Sequence, residues 1–237
     1  MSGEGYPKQV SARRRELTGA ADRGASLSGE KLAYWFFRLN GCFTIENFVV
    51  HPDFGGDGQR TDADLLGVRF PHRQEGLVDP MADHPSLMSD RLLLFIAEVK
   101  LRTCALNGPW TRPQARNLVR VLGAAGLHPP AELESVADRI YSDRFYRDEH
   151  AEVRFYAIGD EPSPRLDRHP DVRQLLWNDV LDFVHQRFTR YNVVKRDHNQ
   201  WDPVGRRLFA EAGRRDRESF VQWGRSHLTD PNNRRLE

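Results

Sequence analysis

The sequence predicts a mixed α/β fold, an α+β arrangement on a mixed sheet with a C-terminal helical extension, and three observations carry that expectation. The run Leu92-Leu93-Leu94-Phe95-Ile96-Ala97 is continuously apolar, as befits a strand covered on both faces. Two segments rich in β-branched and aromatic residues precede it. After residue 171, apolar residues recur at three- and four-residue steps, the spacing of an amphipathic helix.

Residues 1–27, rich in Gly, Ser, Ala and Arg around Arg13-Arg14-Arg15, read as a flexible arm. Ser28 can cap a helix that starts at Gly29 and stops at Asn40-Gly41, two residues that tolerate the left-handed conformation. Phe43 to Val50 predicts a strand, with a glycine-rich turn after it at 53–58. Thr61 to Phe70 predicts a second strand, halted by Pro71. A polar loop to about residue 90 leads into the third strand, Leu92 to Lys100. Helices are expected from Gln114 to Ala125, entered through Pro113, and from Leu133 to Phe145, with a strand from Val153 to Ile158. Val172, Leu175, Leu176, Val180, Phe183, Val184 and Phe188 predict one helix reaching Tyr191, with arginine-rich helices beyond it. The organisation expected is an arm at 1–27, a core at 28–170 and a helical extension at 171–237.

Length and composition narrow the classes. A chain of 237 residues suits one domain with an appended subdomain. A content of 39% hydrophobic and 29% charged residues argues against a membrane-embedded chain and against wholesale disorder. No basic-then-apolar leader is legible at the start, and two cysteines, Cys42 and Cys104, make neither a disulfide scaffold nor a zinc cluster; a reduced, cytoplasmic protein is expected. The net charge of +1 is a cancellation, because residues 130–182 hold 13 acidic and 7 basic side chains and residues 187–237 hold 12 basic and 7 acidic ones. That leaves room for a local phosphate-binding face. Only four of the 35 basic residues are lysines, namely Lys8, Lys31, Lys100 and Lys195.

One of those lysines ends the third strand. Side chains alternate along a strand, so Glu98 and Lys100 share a face there, as Asp62 and Asp64 do on the second strand. If the two strands pair as a hairpin, Asp64 approaches Glu98. Two adjacent carboxylates repel unless a positive charge lies between them, and a divalent cation meets that need. Mg²⁺ favours carboxylate oxygens, keeps several waters and takes further contacts from a phosphate. Lys100 can then assist a water and offset charge developing on a phosphate, which is a phosphodiesterase site. The acidic-x-Lys triplet alone is weak, since chance supplies about 0.6 in a chain of this composition. Its weight comes from the apolar strand before it and from Asp64 on the neighbouring strand.

Glu30 on the first helix, Asp64 on a strand and the triplet Glu98-Val99-Lys100, in that order across about residues 28–160, resemble the PD-(D/E)xK nuclease superfamily, also called restriction-endonuclease-like. The resemblance implies an αβββαβ core. It implies that Asp64 and Glu98 bind Mg²⁺ (with Mn²⁺ able to substitute), that the backbone carbonyl of Val99 joins them, and that Lys100 assists the attacking water. Glu30, and Gln114 at the start of the following helix, are implied as further catalytic groups. The chain departs from the pattern in lacking the proline before the first aspartate, and Asp62, two residues before Asp64, is an additional candidate ligand. In function, the resemblance implies a Mg²⁺-dependent nuclease, expected on DNA before RNA, in prokaryotic defence or DNA processing. A homodimer or larger assembly would suit cutting of both strands, a protein partner is admitted, and no membrane partner is expected.

Plainer readings stand beside these. Glu98 and Lys100 can be a strand-end ion pair, Asp62 a strand-entry residue, Glu30 a first-turn acid on the helix dipole, and Gln114 an ordinary helix-start residue. Tyr34, Trp35, Phe36 and Phe37 read as core, and the arginine clusters as solvated helix faces. Asp197-His198 hints at an HNH-type nuclease, but no second histidine or cysteine pair supports one. Lys195, His198, Gln200 and Trp201 read either as a polar platform near the main site or as substrate contacts. The rival to the nuclease is a catalytically silent binding or regulatory module of the same fold, docking a protein or nucleic acid.

Overall fold

A strand as apolar as 92–97 needs cover on both faces, and the chain supplies it from two directions. A computed structural model describes residues 26–51, 61–76, 78–196 and 201–229. The expected arm up to residue 25, the turn at 53–58, and His198 and Gln200 lie outside the described residues. The element order is β1 (Leu27–Ser28), α1 (Gly29–Leu39), β2 (Phe43–Val50), β3 (Thr61–Arg69), β4 (Leu92–Val99), α2 (Asn117–Ala125), α3 (Leu133–Asp143), β5 (Phe145–Arg147) and β6 (Ala151–Gly159). It continues with β7 (Arg173–Leu176), α4 (Trp177–Arg190), α5 (Pro203–Ala212), α6 (Arg217–His227) and β8 (Leu228–Thr229). Short 3₁₀ turns stand at Pro85–Leu87, Gly108–Trp110 and Pro113–Ala115.

Local chemistry sets the first of these boundaries. The Ser28 hydroxyl accepts the Lys31 N–H at 3.2 Å, so α1 starts where its cap is. Asn40 closes the helix by donating its side-chain amide to the Phe36 carbonyl at 2.8 Å, and Gly41 turns the chain out at φ +74°. The sheet runs β2-β3-β4-β6. The first two pairings are antiparallel, whereas β4 and β6 are parallel from Leu92↔Ala151 to Val99↔Ile158. On its far side β6 pairs with β5 near its start and with β7 near its end.

Parallel neighbours need a crossover, and α2 and α3 provide it on one face of the sheet. Leu94, Ile96, Val153 and Phe155 pack with those helices. On the opposite face Leu93, Phe95, Ala97 and Tyr156 pack with α1, α4, α5 and α6. The helices after residue 171 therefore complete the same apolar layer that α1 begins. Trp35, Phe36 and Phe37 belong to that layer, as expected for core aromatics.

Three expected boundaries differ, each for a local reason. Arg116 takes a left-handed conformation at φ 52°, so α2 opens at Asn117 and Gln114 sits in the separate 3₁₀ turn before it. Arg144 at φ 61° ends α3 and delivers Phe145 to β5. Residues 173–176 are a strand, not the first turn of a long helix. The Val-x-x-Leu-Leu pattern fits both periods, and Leu175 enters one core layer while Leu176 packs against the other.

The tail is fixed to the core through Trp35. Asp202 caps α5 by accepting the Gly205 N–H at 2.7 Å, and the same oxygen accepts the Trp35 indole N–H at 3.1 Å. Gly205 lies so close to the Trp35 ring that any Cβ there would overlap it. Gly205→Ala is expected to lower stability by about 1–3 kcal/mol through overpacking, read as a lower urea midpoint with unchanged slope.

Candidate active site

The pairing of β3 with β4 ends at Leu65↔Ala97. One step further along the same register, Asp64 stands opposite Glu98, and their side chains leave the sheet on the same face. The ladder stops there because the Asp64 carboxylate replaces a carbonyl: its Oδ2 accepts the Val99 N–H at 2.6 Å. Lys100 continues the chain with its own N–H donated to the Ile158 carbonyl at 2.9 Å. Its carbonyl accepts the Trp177 indole N–H at 3.2 Å. Backbone held on both sides in this way gives the Lys100 side chain a defined origin.

From that origin its ammonium spans both acids, at 3.2 Å from Glu98 Oε2 and 3.8 Å from Asp64 Oδ2. The remaining Glu98 oxygen accepts the Trp110 indole N–H at 2.5 Å. Glu98 and Trp110 are both 0% exposed, whereas the Lys100 side chain is 32% exposed. The site thus has a dry acid at its back and a wetter cation at its mouth. Burial pushes the Glu98 carboxyl up to about 7, with the Asp64 charge adding to it and Lys100 and Trp110 opposing it. Asp64 is also raised, first by burial, while the Val99 N–H and Lys100 pull it back and Asp62 pushes it further.

Asp64, Glu98 and Lys100 are therefore brought together, and Asp62 is near enough to act on Asp64 electrostatically. Val99 points to the other face, where a Cβ on Gly29 would stand 3.1 Å from its Cγ1. The first turn of α1, with Glu30, accordingly begins against the strand that carries the triplet. Gln114 is exposed. Lys195 lies elsewhere, ion-paired with Glu75 at 2.5 Å. Trp201 packs with Trp35, Phe188 and Phe209 as part of the apolar layer, not in a polar platform. Lys31 pairs with Glu46 at 2.6 Å. Cys42 and Cys104 are buried free thiols.

Trp110 is the member that sequence reading missed. A buried indole N–H needs an acceptor, and a tryptophan between two prolines shortly after a strand-end glutamate was the available signal. Among the described residues no group of three or more His, Cys, Asp or Glu side chains is gathered as a metal cage. The donor set that remains is the two carboxylates with the Val99 backbone carbonyl that follows Glu98. It suits a hard, water-retaining ion such as Mg²⁺, and the Lys100 ammonium already bridges the two acids as a cation does. A groove of about 980 Å³ between α4 and α6 is lined by none of these residues.

The raised Glu98 carboxyl has a sign. Stability from the protonated acid is complete below its ordinary value of 4.5 and is lost as pH rises through about 7. Glu98→Gln removes the buried charge, so without divalent ions it is expected to raise the melting temperature above pH 7. The gain corresponds to about 1–3 kcal/mol and should vanish near pH 4.5, as measured by thermal unfolding across pH. No protein-family model, no curated protein and no solved structure matches this chain.

Proposed function

We propose that the chain is a Mg²⁺-dependent nuclease, acting first on DNA, on a restriction-endonuclease-like αβββαβ core. The observation that carries this reading is the meeting of Asp64, Glu98 and Lys100 at one strand end, with a single ammonium within 3.8 Å of both carboxylates. The order α1, β2, β3, β4, α2, β6, with β4 and β6 parallel and helices on both faces, supports it. Prokaryotic defence or DNA processing in the cytoplasm is the setting that fits such an enzyme. Among the described residues no helix is long and apolar enough to cross a membrane.

Asp64 and Glu98 would hold the ion, with the Val99 carbonyl and, at the margin, Asp62. When bound, Mg²⁺ polarises the phosphate and lowers the pKa of water. The chain's own groups do the rest. Trp110 fixes the Glu98 carboxylate before substrate arrives. The Asp64 bond to Val99 N–H locks the two strand ends together. Lys100, the more exposed member, presents positive charge where negative charge grows on the phosphate. A water oxygen bonds to phosphorus as the P–O ester bond breaks; the bonding pair leaves with the ester oxygen, which takes up a proton to become a hydroxyl as the attacking water gives one up to solvent. Glu30 begins its helix against the Val99 face of the same strand end, opposite to the Glu98 and Lys100 side chains, and Gln114 stands on an exposed 3₁₀ turn, so both stay candidates through the resemblance alone.

One observation favours a second reading. Glu98 is 0% exposed, which suits a catalytically silent module whose strand-end ion pair is structural. Incubation with circular DNA, linear DNA and RNA, in Mg²⁺, Mn²⁺ or EDTA, separates the two. The nuclease reading expects cleavage dependent on divalent ions, reduced at least about 100-fold in Asp64→Ala, Glu98→Ala and Lys100→Ala folded to wild-type levels. Metal-independent cleavage, or full activity in any one of those variants, contradicts it.

A further inference from the structure

The opposite end of β3 gathers charge of the other sign. Arg69, the last residue of β3, is 1% exposed and donates to Asp83 at 2.8 Å. Arg73, in the loop after β3, pairs with both Asp83 and Glu75. Arg187 of α4 is 0% exposed and reaches Asp83 at 2.8 Å, with Glu75 3.5 Å away. Lys195, beyond α4, donates to Glu75 at 2.5 Å. Among the described residues four cations thus converge on two carboxylates, a surplus of two positive charges in a mostly buried place. Among the described residues, Arg69 Nε and Arg187 Nε are buried without a hydrogen bond, and Arg187 Nη1 has only the longer 3.5 Å approach of Glu75.

Burying unpaired charge is costly, so a surplus of this kind calls for a counter-anion. Lys195 registers the strain, since burial and the nearby Arg187, Arg73 and Arg38 lower its ammonium to about 8. A cavity of about 430 Å³ opens on the cluster: Arg69, His72 and Arg73 line it beside Asp83 and Glu75, the carboxylates that pair with the arginines, and Pro71, Met81 and Met88 give it an apolar wall. Small-molecule sites usually span about 300–1,000 Å³ and combine an apolar wall with a few placed charges. Arginine forks match the oxygens of a phosphate two at a time.

We propose that this pocket binds the phosphate group of a small phosphate ester of nucleotide size, with Arg73 meeting the oxyanion, the surplus charge of the buried cluster behind it, and Pro71, Met81 and Met88 receiving the organic part. The pocket is about five residues along β3 from Asp64, roughly 17 Å at strand rise, so it is separate from the candidate active site. It stands whether or not that site cuts nucleic acid.

The probes are inorganic phosphate, adenosine 5′-monophosphate, adenosine, and one oligonucleotide with either a 5′-phosphate or a 5′-hydroxyl, all in EDTA. Thermal unfolding at matched ionic strength should place the melting temperature higher with phosphate or adenosine 5′-monophosphate than with sodium chloride. Calorimetry should give one site for adenosine 5′-monophosphate, with adenosine at least about tenfold weaker. Arg73→Gln should weaken the nucleotide about tenfold or more; should that variant not fold, His72→Ala, which removes another side chain lining the pocket and leaves the ion pairs intact, should weaken it severalfold. A preference for the 5′-phosphorylated oligonucleotide without binding of the free nucleotide would overturn the small-molecule assignment in favour of a nucleic-acid end. Melting temperatures in phosphate and nucleotide equal to those in sodium chloride would overturn the pocket altogether.

Discussion

A carboxylate closed off from water at the end of an apolar strand must be answered by its neighbours, and much of this molecule is arranged around the answer given to Glu98. Trp110 is turned inward to donate one hydrogen bond, and Lys100 folds back to donate another. Asp64, on the next strand, is tied to the strand end through the Val99 N–H. Without those partners the burial of Glu98 would cost several kcal/mol. With them, two acids and one ammonium are held in a fixed, dry corner. That is a costly arrangement for structure alone and a useful one for placing a divalent ion and a phosphate.

The strand that brings Asp64 to this corner also carries Arg69 at its other end. One end of β3 therefore lies in an acid-rich cluster and the other in a cluster with surplus positive charge. Both sit where ladder pairing gives way to loop, so backbone and side-chain groups are free to face something other than the sheet. α4 reaches both regions: Trp177 at its start clamps the Lys100 carbonyl, and Arg187 near its end joins the arginine cluster. The C-terminal helices are thus part of what positions each site, in addition to completing the apolar layer over α1.

Features decided by neighbouring residues are legible in the sequence. Ser28 as a cap, Asn40-Gly41 as a stop and the strands β2, β3 and β4 need only local propensity and alternation. Asp64 facing Glu98 results from a hairpin and one register, which the apolar faces select. What escapes is decided by partners distant in sequence. β7 is a strand because β6 offers it an edge, not because its residues exclude a helix. Trp110 finds Glu98 across a loop, and Arg187 finds Asp83 across more than half of the fold's described length. Lys195 stands out as a rare lysine and was expected in a platform near the main site or on substrate, yet its partner is Glu75 in the loop after β3, at the other end of that strand from Asp64. Gln114 escapes because one left-handed residue, Arg116, separates it from the helix it was expected to open.

Whether Asp64 and Glu98 together hold one divalent ion is decided by calorimetric titration of the metal-free protein with Mn²⁺. One site per chain is expected, abolished in Asp64→Ala and in Glu98→Ala and preserved in Arg73→Gln. No Mn²⁺ binding by the wild-type protein, or binding undiminished in both acid variants, would contradict it.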